Sequence, residues 1–392
     1  MSEKLWRVGQ KELDYIKEAI DSGLTGVMNQ KFESKFATKM GVKYAVGVNS
    51  GTSALHSCLG AMEIGPGDEV IVPPLTFAST AFSVMYLGGI PVFADIDPDT
   101  FNINYEDIEN KITNKTKAII PVSLYGLPAE MDPIMEIAEK NDIFVLEDCA
   151  QCFLGKYKGK TAGTIGHMGI FSFERSKHMT TGNGGMLVTN DKELAEKARK
   201  FSILGYSTLK AGAYEAKPPK EIIQDPNFER HLFVSPNYRL PEVCAAMGLA
   251  QLEQLDIFVD RRIKIAKIYS DAVGNCEWLC PQKTPEYSVN SYFTYAMKLE
   301  SLKSKISWSQ FRETYLKNGG DSYYAAWKLT YTEPAIRGMK FENGIEYKNG
   351  LCPIAEDIQP KMIQLKTNYE SLDHAKEQAE ILRQTIGELD KF

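Results

Sequence analysis

The 392-residue sequence is poor in the features that mark several large classes of protein. It has no basic surplus, because 45 Lys and Arg residues face 51 Asp and Glu residues and the net charge is −6. A nucleic-acid-binding protein is expected to carry a basic surplus or stripe. No apolar run approaches the roughly 18 residues that a membrane span requires. The composition therefore predicts a globular protein that binds neither nucleic acid nor membrane.

Cysteine and histidine are also scarce. The seven cysteines are an odd number scattered along a long chain, which favours free thiols over a disulfide framework. Cys149 and Cys152 have the spacing of a redox or zinc pair, and that role stays open, although no second pair accompanies them. The five histidines are dispersed, so no metal site is expected. The first residues lack an apolar leader segment, and we expect a cytoplasmic protein.

The sequence does contain a regular alternation of short apolar runs and helix-length stretches between Lys43 and Asn190. Such alternation implies crossover connections and a mostly parallel sheet that is covered on both faces by helices. Ligands of these folds bind beyond the carboxyl ends of the strands. We predict strands within residues 44–48, 69–72, 91–94, 118–122, 144–146, 169–172 and 186–189.

The second half of the chain has a weaker pattern. Residues 207–236 show no clear period and are predicted to form a long surface loop, of a kind that is often functional. One long helix is expected after Pro241. The remaining elements are a strand from Tyr292 to Leu299, a helix that begins after Ser307, and a closing helix from Leu372 to Leu389. We predict a large α/β domain over residues 1–260 and a smaller α+β domain over residues 261–392.

Lys177 is the first candidate for a catalytic residue. It lies between an apolar run that ends at Ser172 and a glycine-rich turn that leads into the next apolar run. This pattern predicts strand, loop, turn and strand, with the lysine on a tight connection. A partly desolvated lysine there can be a Schiff-base nucleophile, because its amine loses its proton readily. Taken alone, the lysine is more simply explained as a solvated loop residue.

Three features elsewhere point to pyridoxal phosphate. The segment Asn49-Ser-Gly-Thr-Ser53 joins a strand to a helix, where free N–H groups and the helix dipole can hold a phosphate, and Thr52 and Ser53 add hydroxyl donors. Asp148 follows a buried strand, where a carboxylate can keep a pyridinium nitrogen protonated. Phe77 follows another strand, where its ring could stack on the cofactor face.

Each of these features alone has a simpler explanation. Serine, threonine and aspartate favour helix N-caps, and an aromatic residue at a strand end is commonly part of the core. Their order along the chain is more specific than any single feature: a phosphate turn, an aromatic residue, an aspartate and a lysine, each at a strand end. Pairing of a lysine with a carboxylate is typical of pyridoxal phosphate sites. The combination therefore predicts this cofactor.

At these residues the chain resembles the sugar aminotransferases of the DegT/StrS type, and the resemblance runs almost from end to end. It implies the fold-type I architecture of aspartate aminotransferase, with a mostly parallel seven-stranded sheet flanked by helices. The motifs that carry the resemblance are Asn49-Ser-Gly-Thr-Ser-Ala-Leu, Gly65-Pro-Gly-Asp-Glu-Val-Ile-Val-Pro-Pro-Leu-Thr-Phe, Pro91-Val-Phe-Ala-Asp-Ile-Asp, Glu147-Asp-Cys-Ala-Gln151, Ser172-Phe-Glu-Arg-Ser-Lys-His and Asn237-Tyr-Arg-Leu-Pro-Glu242.

The resemblance also implies roles for individual residues. Lys177 is implied to be the catalytic residue, which binds the cofactor covalently and shuttles the proton. An asparagine from the neighbouring subunit reaches the phosphate in this family, and Asn237 occupies that motif, so a homodimer with a shared active site is implied. The alternative for Asn237 is a turn residue after Pro236. The other implied cofactor contacts are Asp148 to the ring nitrogen, Gln151 near the ring hydroxyl, Phe77 on the ring face, and Thr52, Ser53 and Ser172 to the phosphate.

We therefore expect a transaminase that moves an amino group from glutamate to a keto sugar, with a nucleotide-linked keto-deoxy sugar as the favoured substrate. The expected setting is amino sugar biosynthesis for a surface polysaccharide or lipopolysaccharide. Residues 207–236 and 319–327 depart from the family pattern, which leaves the sugar open. The alternatives are a sugar dehydratase on the same scaffold, an aminotransferase of a non-nucleotide keto sugar or cyclitol, and a cofactor-binding sensor. The relatives that deoxygenate the 3-position of the sugar replace the lysine with histidine, so Lys177 argues against them.

Overall fold

The computed structural model describes residues 6–212, 220–300, 305–342 and 344–391. These residues contain the following strands: β1 (Tyr44–Val48), β2 (Glu69–Val72), β3 (Ile90–Phe93), β4 (Thr116–Ile119), β5 (Phe144–Asp148), β6 (Lys156–Tyr157), β7 (Lys160–Thr161), β8 (Met168–Ser172), β9 (Gly185–Thr189), β10 (Leu279–Pro281), β11 (Ser288–Val289), β12 (Thr294–Leu299) and β13 (Met362–Lys366).

The α-helices of the same residues are α1 (Gln10–Asp21), α2 (Val27–Met40), α3 (Gly51–Ala61), α4 (Ser79–Met85), α5 (Tyr105–Lys111), α6 (Met131–Asn141), α7 (Lys192–Ser202), α8 (Lys220–Gln224), α9 (Glu242–Glu253), α10 (Leu255–Val273), α11 (Trp308–Lys317), α12 (Pro353–Ile358) and α13 (Leu372–Leu389). Short 3₁₀ turns lie at Leu124–Gly126, Thr330–Thr332 and Gln359–Lys361. No helix of the described residues is long and apolar enough to cross a membrane.

The main sheet has seven strands in the order β1-β9-β8-β5-β4-β2-β3. Neighbouring strands from β8 to β3 are parallel, whereas β9 runs antiparallel to both β1 and β8. This confirms the mostly parallel, helix-flanked sheet expected from the sequence. The strands of this sheet are almost wholly buried, because helices cover both of its faces. Their side chains are therefore mostly apolar, with many β-branched residues.

A second sheet of three strands, in the order β10-β12-β13, lies in the C-terminal part of the chain. Helices α10 and α13 pack together beside this sheet, and their apolar faces join a separate core cluster with Trp278, Phe311 and Tyr315. Ser307 caps α11 through its side chain, as the sequence predicts, and the side chain of Ser371 caps α13. The proposed domain boundary at residues 260 and 261 falls within α10 and stays a prediction.

The single long helix predicted after Pro241 is wrong, because the chain breaks at Gln254 into α9 and α10. Gln254 has φ −105° and ψ 0°, and its side-chain amide donates to Glu12 Oε1 at 3.3 Å. The neighbouring Gln251 amide donates to the same carboxylate group at 2.8 Å. These contacts join α9 to the N-terminal segment and let α10 continue toward the second sheet.

The long loop predicted over residues 207–236 is only partly correct. It contains the short helix α8, and Tyr206 pairs with His231 in an isolated β-bridge. Residues 213–219 of this stretch lie outside the described residues. After α8 the chain carries consecutive exposed apolar side chains at Leu232, Phe233 and Val234 before it reaches Asn237.

Candidate active site

The strand ends of the main sheet bring most of the candidate residues to one edge. Val48, at the end of β1, pairs with Gly185, at the start of β9, and Gly185 pairs in turn with Ser172, at the end of β8. The next parallel strand, β5, ends at Asp148. The carboxyl ends of parallel strands are where ligands of α/β sheets bind. The topology therefore collects residues that are more than 120 positions apart in the sequence at one edge.

The phosphate turn lies at the N-terminus of α3. Ser50 is the N-cap, and its hydroxyl oxygen accepts a hydrogen bond from Ser53 N at 3.0 Å. The N–H groups of Gly51 and Thr52 belong to the first turn, where a helix supplies no acceptor. Position 51 has no room for a side chain, because a Cβ atom there would lie 2.9 Å from Ser172 Cβ. The close approach places the helix N-terminus, with its positive dipole end, directly against the end of β8.

The two hydroxyl candidates of this turn differ in their surroundings. Thr52 is half-buried at the start of α3. Ser53 is buried, its hydroxyl donates to Asn49 Oδ1 at 2.6 Å, and it lies 2.8 Å from Ser50 Oγ. In this arrangement Ser53 stabilises the turn itself. Phosphate binding by Thr52, Ser53 and Ser172 remains a prediction.

Asp148 is buried and held in place on both carboxylate oxygens. Its Oδ2 accepts from Thr80 Oγ1 at 3.0 Å, and its Oδ1 accepts from Ala150 N at 3.1 Å. Burial raises the pKa of Asp148, whereas these two hydrogen bonds and the positive charge of Lys177 lower it. A carboxylate in this position can stabilise a cationic ring nitrogen, because each charge offsets the unfavourable burial of the other.

Lys177 lies on the connection between β8 and β9 and is partly buried. Its Nζ is 4.7 Å from the ring centroid of Phe293. Burial lowers the pKa of Lys177, the carboxylates of Glu174 and Asp148 oppose this shift, and the Arg262 guanidinium adds to it. A lysine whose charged form is disfavoured offers a neutral amine, which is the nucleophilic form and the form that accepts a proton.

Phe77 precedes α4, and the residue is 58% exposed. The ring of Trp327 lies against it edge to face, with 5.7 Å between the ring centroids. Trp327 belongs to the stretch that departs from the family pattern at the sequence level. Because one face of a flat, exposed phenyl ring can stack on a heterocycle, the placement of Phe77 is compatible with the predicted stacking role.

Gln151 is buried just beyond β5. Its Oε1 accepts a hydrogen bond from Tyr125 N at 2.8 Å. Tyr125 has φ +61°, in the left-handed region that a tyrosine rarely adopts, so the hydrogen bond from Gln151 helps to hold a strained turn. The side-chain NH₂ group of Gln151 remains available as a donor. Its predicted position near the cofactor ring hydroxyl stays a prediction.

Asn237 is exposed, in contrast to most of the other candidates. Its segment runs past the end of β1, because Asn49 N donates to Tyr238 O at 2.9 Å and Arg239 forms a β-bridge with Val48. Arg239 Nη1 donates to Asn237 Oδ1 at 3.1 Å. An exposed amide held beside the phosphate turn is suited to contact a second chain.

The sequence did not reveal three residues that hold these candidates. Thr80 orients Asp148, and Arg7 and Arg262 contact the loop that carries Lys177. The sequence gives a weak indication for Thr80, because this residue lies at a helix start only three positions after Phe77. In the structure its hydroxyl oxygen is 3.2 Å from that of Thr76. The two arginines have no local signal, since their partners are distant in sequence.

Comparison with known proteins gives a consistent set of matches. Residues 7–382 match the DegT/DnrJ/EryC1/StrS aminotransferase family. The chain is 43% identical over 268 residues to GDP-perosamine synthase of Escherichia coli O157:H7, an alignment that covers 68% of this chain and 69% of that protein. The aminotransferase from Psychrobacter cryohalolentis has a similar structure, with a TM-score of 0.88, 30% identity and 99% of each chain covered. A GDP-4-keto-6-deoxymannose-3-dehydratase variant with bound GDP-perosamine has a TM-score of 0.84 and 26% identity, with 96% of this chain and 98% of that chain covered.

Proposed function

Because this chain belongs to the DegT/DnrJ/EryC1/StrS aminotransferase family, we propose that it transfers an amino group from glutamate to a nucleotide-linked keto sugar. The chain is a sugar aminotransferase, and amino sugar biosynthesis is the process to which its relatives belong. Pyridoxal phosphate is the general cofactor of the family. One observation carries the proposal for this chain: a desolvated lysine, Lys177, shares the carboxyl edge of the sheet with the buried carboxylate of Asp148.

The residues of this edge are chemically suited to pyridoxal phosphate. We define the phosphate cradle as Gly51, Thr52 and Ser172: two N–H groups at a helix N-terminus and two hydroxyl groups. Because Gly51 has no side chain, the N-terminus of α3 can lie close to Ser172, and its backbone N–H groups can bind an anion there. Asp148 supplies the buried anion that a cationic ring nitrogen needs, and the exposed face of Phe77 supplies a surface for stacking. These roles are the ones expected from the family resemblance.

When bound, pyridoxal phosphate supplies an aldehyde and an electron-withdrawing ring that stabilises negative charge on the neighbouring carbon of the amino donor. The chain supplies the proton transfers. The neutral Nζ of Lys177 would accept the α-proton of the donor and deliver it to the cofactor carbon on the other side of the donor nitrogen. Asp148 would keep the ring nitrogen of the bound cofactor protonated, and Thr80 orients Asp148. The partial burial of Lys177 reduces the contact of its amine with water, which favours the neutral form that accepts the proton.

The proposed sugar substrate carries a guanosine diphosphate and a 4-keto-6-deoxy hexose. Support comes from the relative named GDP-perosamine synthase and from the structure with bound GDP-perosamine, both of which cover more than two thirds of the compared chains. A panel of nucleotide-linked 3-keto and 4-keto sugars tests this choice in the first experiment. A cytoplasmic location is part of the same proposal.

A homodimer with a shared active site is the proposed assembly. Asn237 is exposed beside the phosphate turn, and the run Leu232, Phe233 and Val234 exposes apolar side chains directly before it. Val234 is fully exposed at 102%, which is unfavourable for an apolar side chain in water. A second copy that covers this run would bring its own Asn237 to the neighbouring cradle.

The two half-reactions test the function separately. The protein loaded with pyridoxal phosphate is mixed with glutamate alone, and 2-oxoglutarate and pyridoxamine phosphate are quantified. We expect one equivalent of each per active site, since the amino group stays on the cofactor until a keto sugar arrives. Addition of the GDP-linked 4-keto sugar then yields an amino sugar and restores pyridoxal phosphate. Release of ammonia with a deoxy sugar product instead would identify a dehydratase, and absence of 2-oxoglutarate would refute the transaminase.

Hybrid dimers test the shared site. Lys177→Ala and Asn237→Asp are each expected to lose most activity as pure proteins. A denatured and refolded mixture, or co-expression of the two, gives hybrid dimers in which one of the two sites has both native residues. Recovery of about a quarter of the wild-type activity is expected from random pairing, because half of the dimers are hybrids with one intact site. No recovery from a mixture that contains hybrids would rule out a contribution of Asn237 across the interface.

A further inference from the structure

Two buried arginines hold the backbone of the lysine loop, which we define as residues 173–184 between β8 and β9. The Arg7 guanidinium donates to the carbonyl oxygens of residues 177 and 178, and to that of residue 175 at 2.9 Å. Arg262 Nη2 donates to the carbonyl oxygen of residue 176 at 3.3 Å. Four consecutive carbonyl groups, 175 to 178, thus accept hydrogen bonds from only two side chains.

Helix α10 organises both arginines. Arg262 lies on this helix, and its Nη1 donates to Phe293 O at 2.7 Å and to Thr367 Oγ1 at 2.9 Å. Phe258 lies one turn earlier on the same helix, with its ring centroid 5.9 Å from the Arg7 guanidinium carbon. The helix therefore connects the lysine loop of the main sheet to residues that flank β12 and β13.

The same contacts determine where the Lys177 amine lies. Its Nζ rests 4.7 Å from the ring centroid of Phe293, and the carbonyl group of Phe293 is held by Arg262. Arg262 thus fixes the backbone on the N-terminal side of Lys177 and also the ring that the amine contacts. Arg7 fixes the carbonyl group of Lys177 itself.

A buried arginine with a purely structural role is expected to form an ion pair with a carboxylate. Within the described parts of the chain, neither guanidinium group forms an ion pair with a carboxylate. Arg199, by contrast, is equally buried and pairs with Glu33 at 2.8 Å. Burial of an unpaired charge is costly, and burial lowers the pKa of Arg7 to about 10. A buried charge beside Lys177 has a use, because it disfavours a second positive charge on the amine.

We propose that Arg7 and Arg262 are positioning residues of the reaction, which fix the backbone at residues 175–178 and thereby aim the amine of Lys177. The inference rests on the proposed role of Lys177. It makes the loop geometry depend on residues at the N-terminus and on α10, far from the cofactor contacts that the sequence indicates.

Arg7→Lys and Arg262→Lys test the proposal, because an ammonium group keeps the charge but cannot span several carbonyl groups as a planar guanidinium does. Hydrogen–deuterium exchange of the cofactor-free full-length protein measures the amides of the lysine loop. We expect exchange to accelerate about tenfold or more, since each lost hydrogen bond from a charged donor corresponds to about that factor. The rate constant of the glutamate half-reaction should fall by a similar factor, while the affinity for pyridoxal phosphate changes by less than about threefold.

Arg262→Met tests the charge separately. The acylation rate of Lys177 by acetic anhydride is followed against pH in the cofactor-free protein, with the exposed Lys140 as internal reference. The groups whose charges act on Lys177 are Glu174 on its own loop, Asp148 on β5 and Arg262 on α10. Removal of the Arg262 charge leaves the two carboxylates, which favour the ammonium form, so the pH midpoint of acylation should rise.

Arg199→Lys is the matched control, because Arg199 is equally buried and also donates to two backbone carbonyl groups. It should lower the melting temperature without changing the lysine loop. The proposal is overturned if the Arg7 and Arg262 variants lower the melting temperature, as Arg199→Lys does, and change nothing else. In that case the hydrogen exchange of the lysine loop, the rate of the glutamate half-reaction and the pH profile of Lys177 acylation would all equal those of the wild type. Arg7→Lys decides alone if the Arg262 variants do not fold. Exchange and acylation need no turnover, so a failure of the proposed function remains distinguishable from a failure of this inference.

Discussion

Gly51→Ala perturbs the phosphate cradle with a single methyl group. The new Cβ would lie 2.9 Å from Ser172 Cβ and 3.2 Å from Ser172 Oγ, so α3 and β8 must separate by about half an ångström. Such overpacking costs about 1–3 kcal/mol, and replacing glycine in a helix returns about 0.5–1 kcal/mol. The stability of the cofactor-free protein should therefore fall by no more than about 2.5 kcal/mol.

Cofactor binding should suffer more than stability. The N–H groups of Gly51 and Thr52 and the Ser172 hydroxyl must converge on one phosphate, and a shift of half an ångström lengthens several hydrogen bonds to a charged group at once. Loss of one such bond is worth about 1.5–3 kcal/mol, which corresponds to about a tenfold to hundredfold increase in Kd. The assay is a titration of the cofactor-free protein with pyridoxal phosphate, followed by absorbance, beside a urea denaturation curve.

Gly387→Ala is the control for this experiment. Gly387 lies within α13, and a Cβ there would meet no atom within 4 Å. This variant should gain about 0.5–1 kcal/mol of stability and bind the cofactor as the wild type does. If Gly51→Ala bound pyridoxal phosphate with wild-type affinity, the helix N-terminus and Ser172 would not form the phosphate site.

Three further predictions concern buried charges. Asp148→Asn should slow the glutamate half-reaction by a factor of about 100 or more, in the range measured for lost electrostatic partners. Burial raises the pKa of Asp148, so the wild-type protein loses stability as the pH rises above the pKa of this group in the unfolded chain. The variant should therefore be more stable than the wild type at pH 7 but not at pH 3. Lys177→Met should also be more stable than the wild type at pH 7, because burial lowers the pKa of Lys177 and the unfolded state therefore binds the extra proton. This difference in stability should shrink as the pH rises toward 10.5. Arg199→Ala should cost about 3–5 kcal/mol, since it leaves the buried carboxylate of Glu33 unpaired. Urea denaturation at several pH values checks all three stability differences, and a pH-independent difference would contradict the first two.

Local patterns predicted the main sheet well. The runs at residues 44–48 and 69–72 coincide with β1 and β2, and the closing helix begins and ends at Leu372 and Leu389 as expected. These elements are readable because their apolar periods are continuous and their ends carry caps or turns. The short strands β6, β7 and β11 were missed, since two residues of chain carry no period and pair only through tertiary contacts.

The break at Gln254 and the roles of the two arginines could not be predicted from the sequence. No proline or glycine marks the end of α9, and the side-chain contacts of Gln251 and Gln254 reach Glu12, about 240 positions away. Arg7 likewise contacts carbonyl groups about 170 positions away. A hydrogen bond from a side chain to a distant backbone leaves no trace in local composition, so such residues emerge only when the fold is known.

The identity of the amine that binds the cofactor tests the proposed role of Lys177 most directly. The full-length protein is mixed with pyridoxal phosphate, reduced with sodium borohydride, digested and analysed by mass spectrometry. We expect one phosphopyridoxyl group per chain, on the peptide that contains Lys177, and none on that peptide in Lys177→Ala. A label spread over exposed lysines, or an unlabelled Lys177 in a protein that still transaminates, would contradict it.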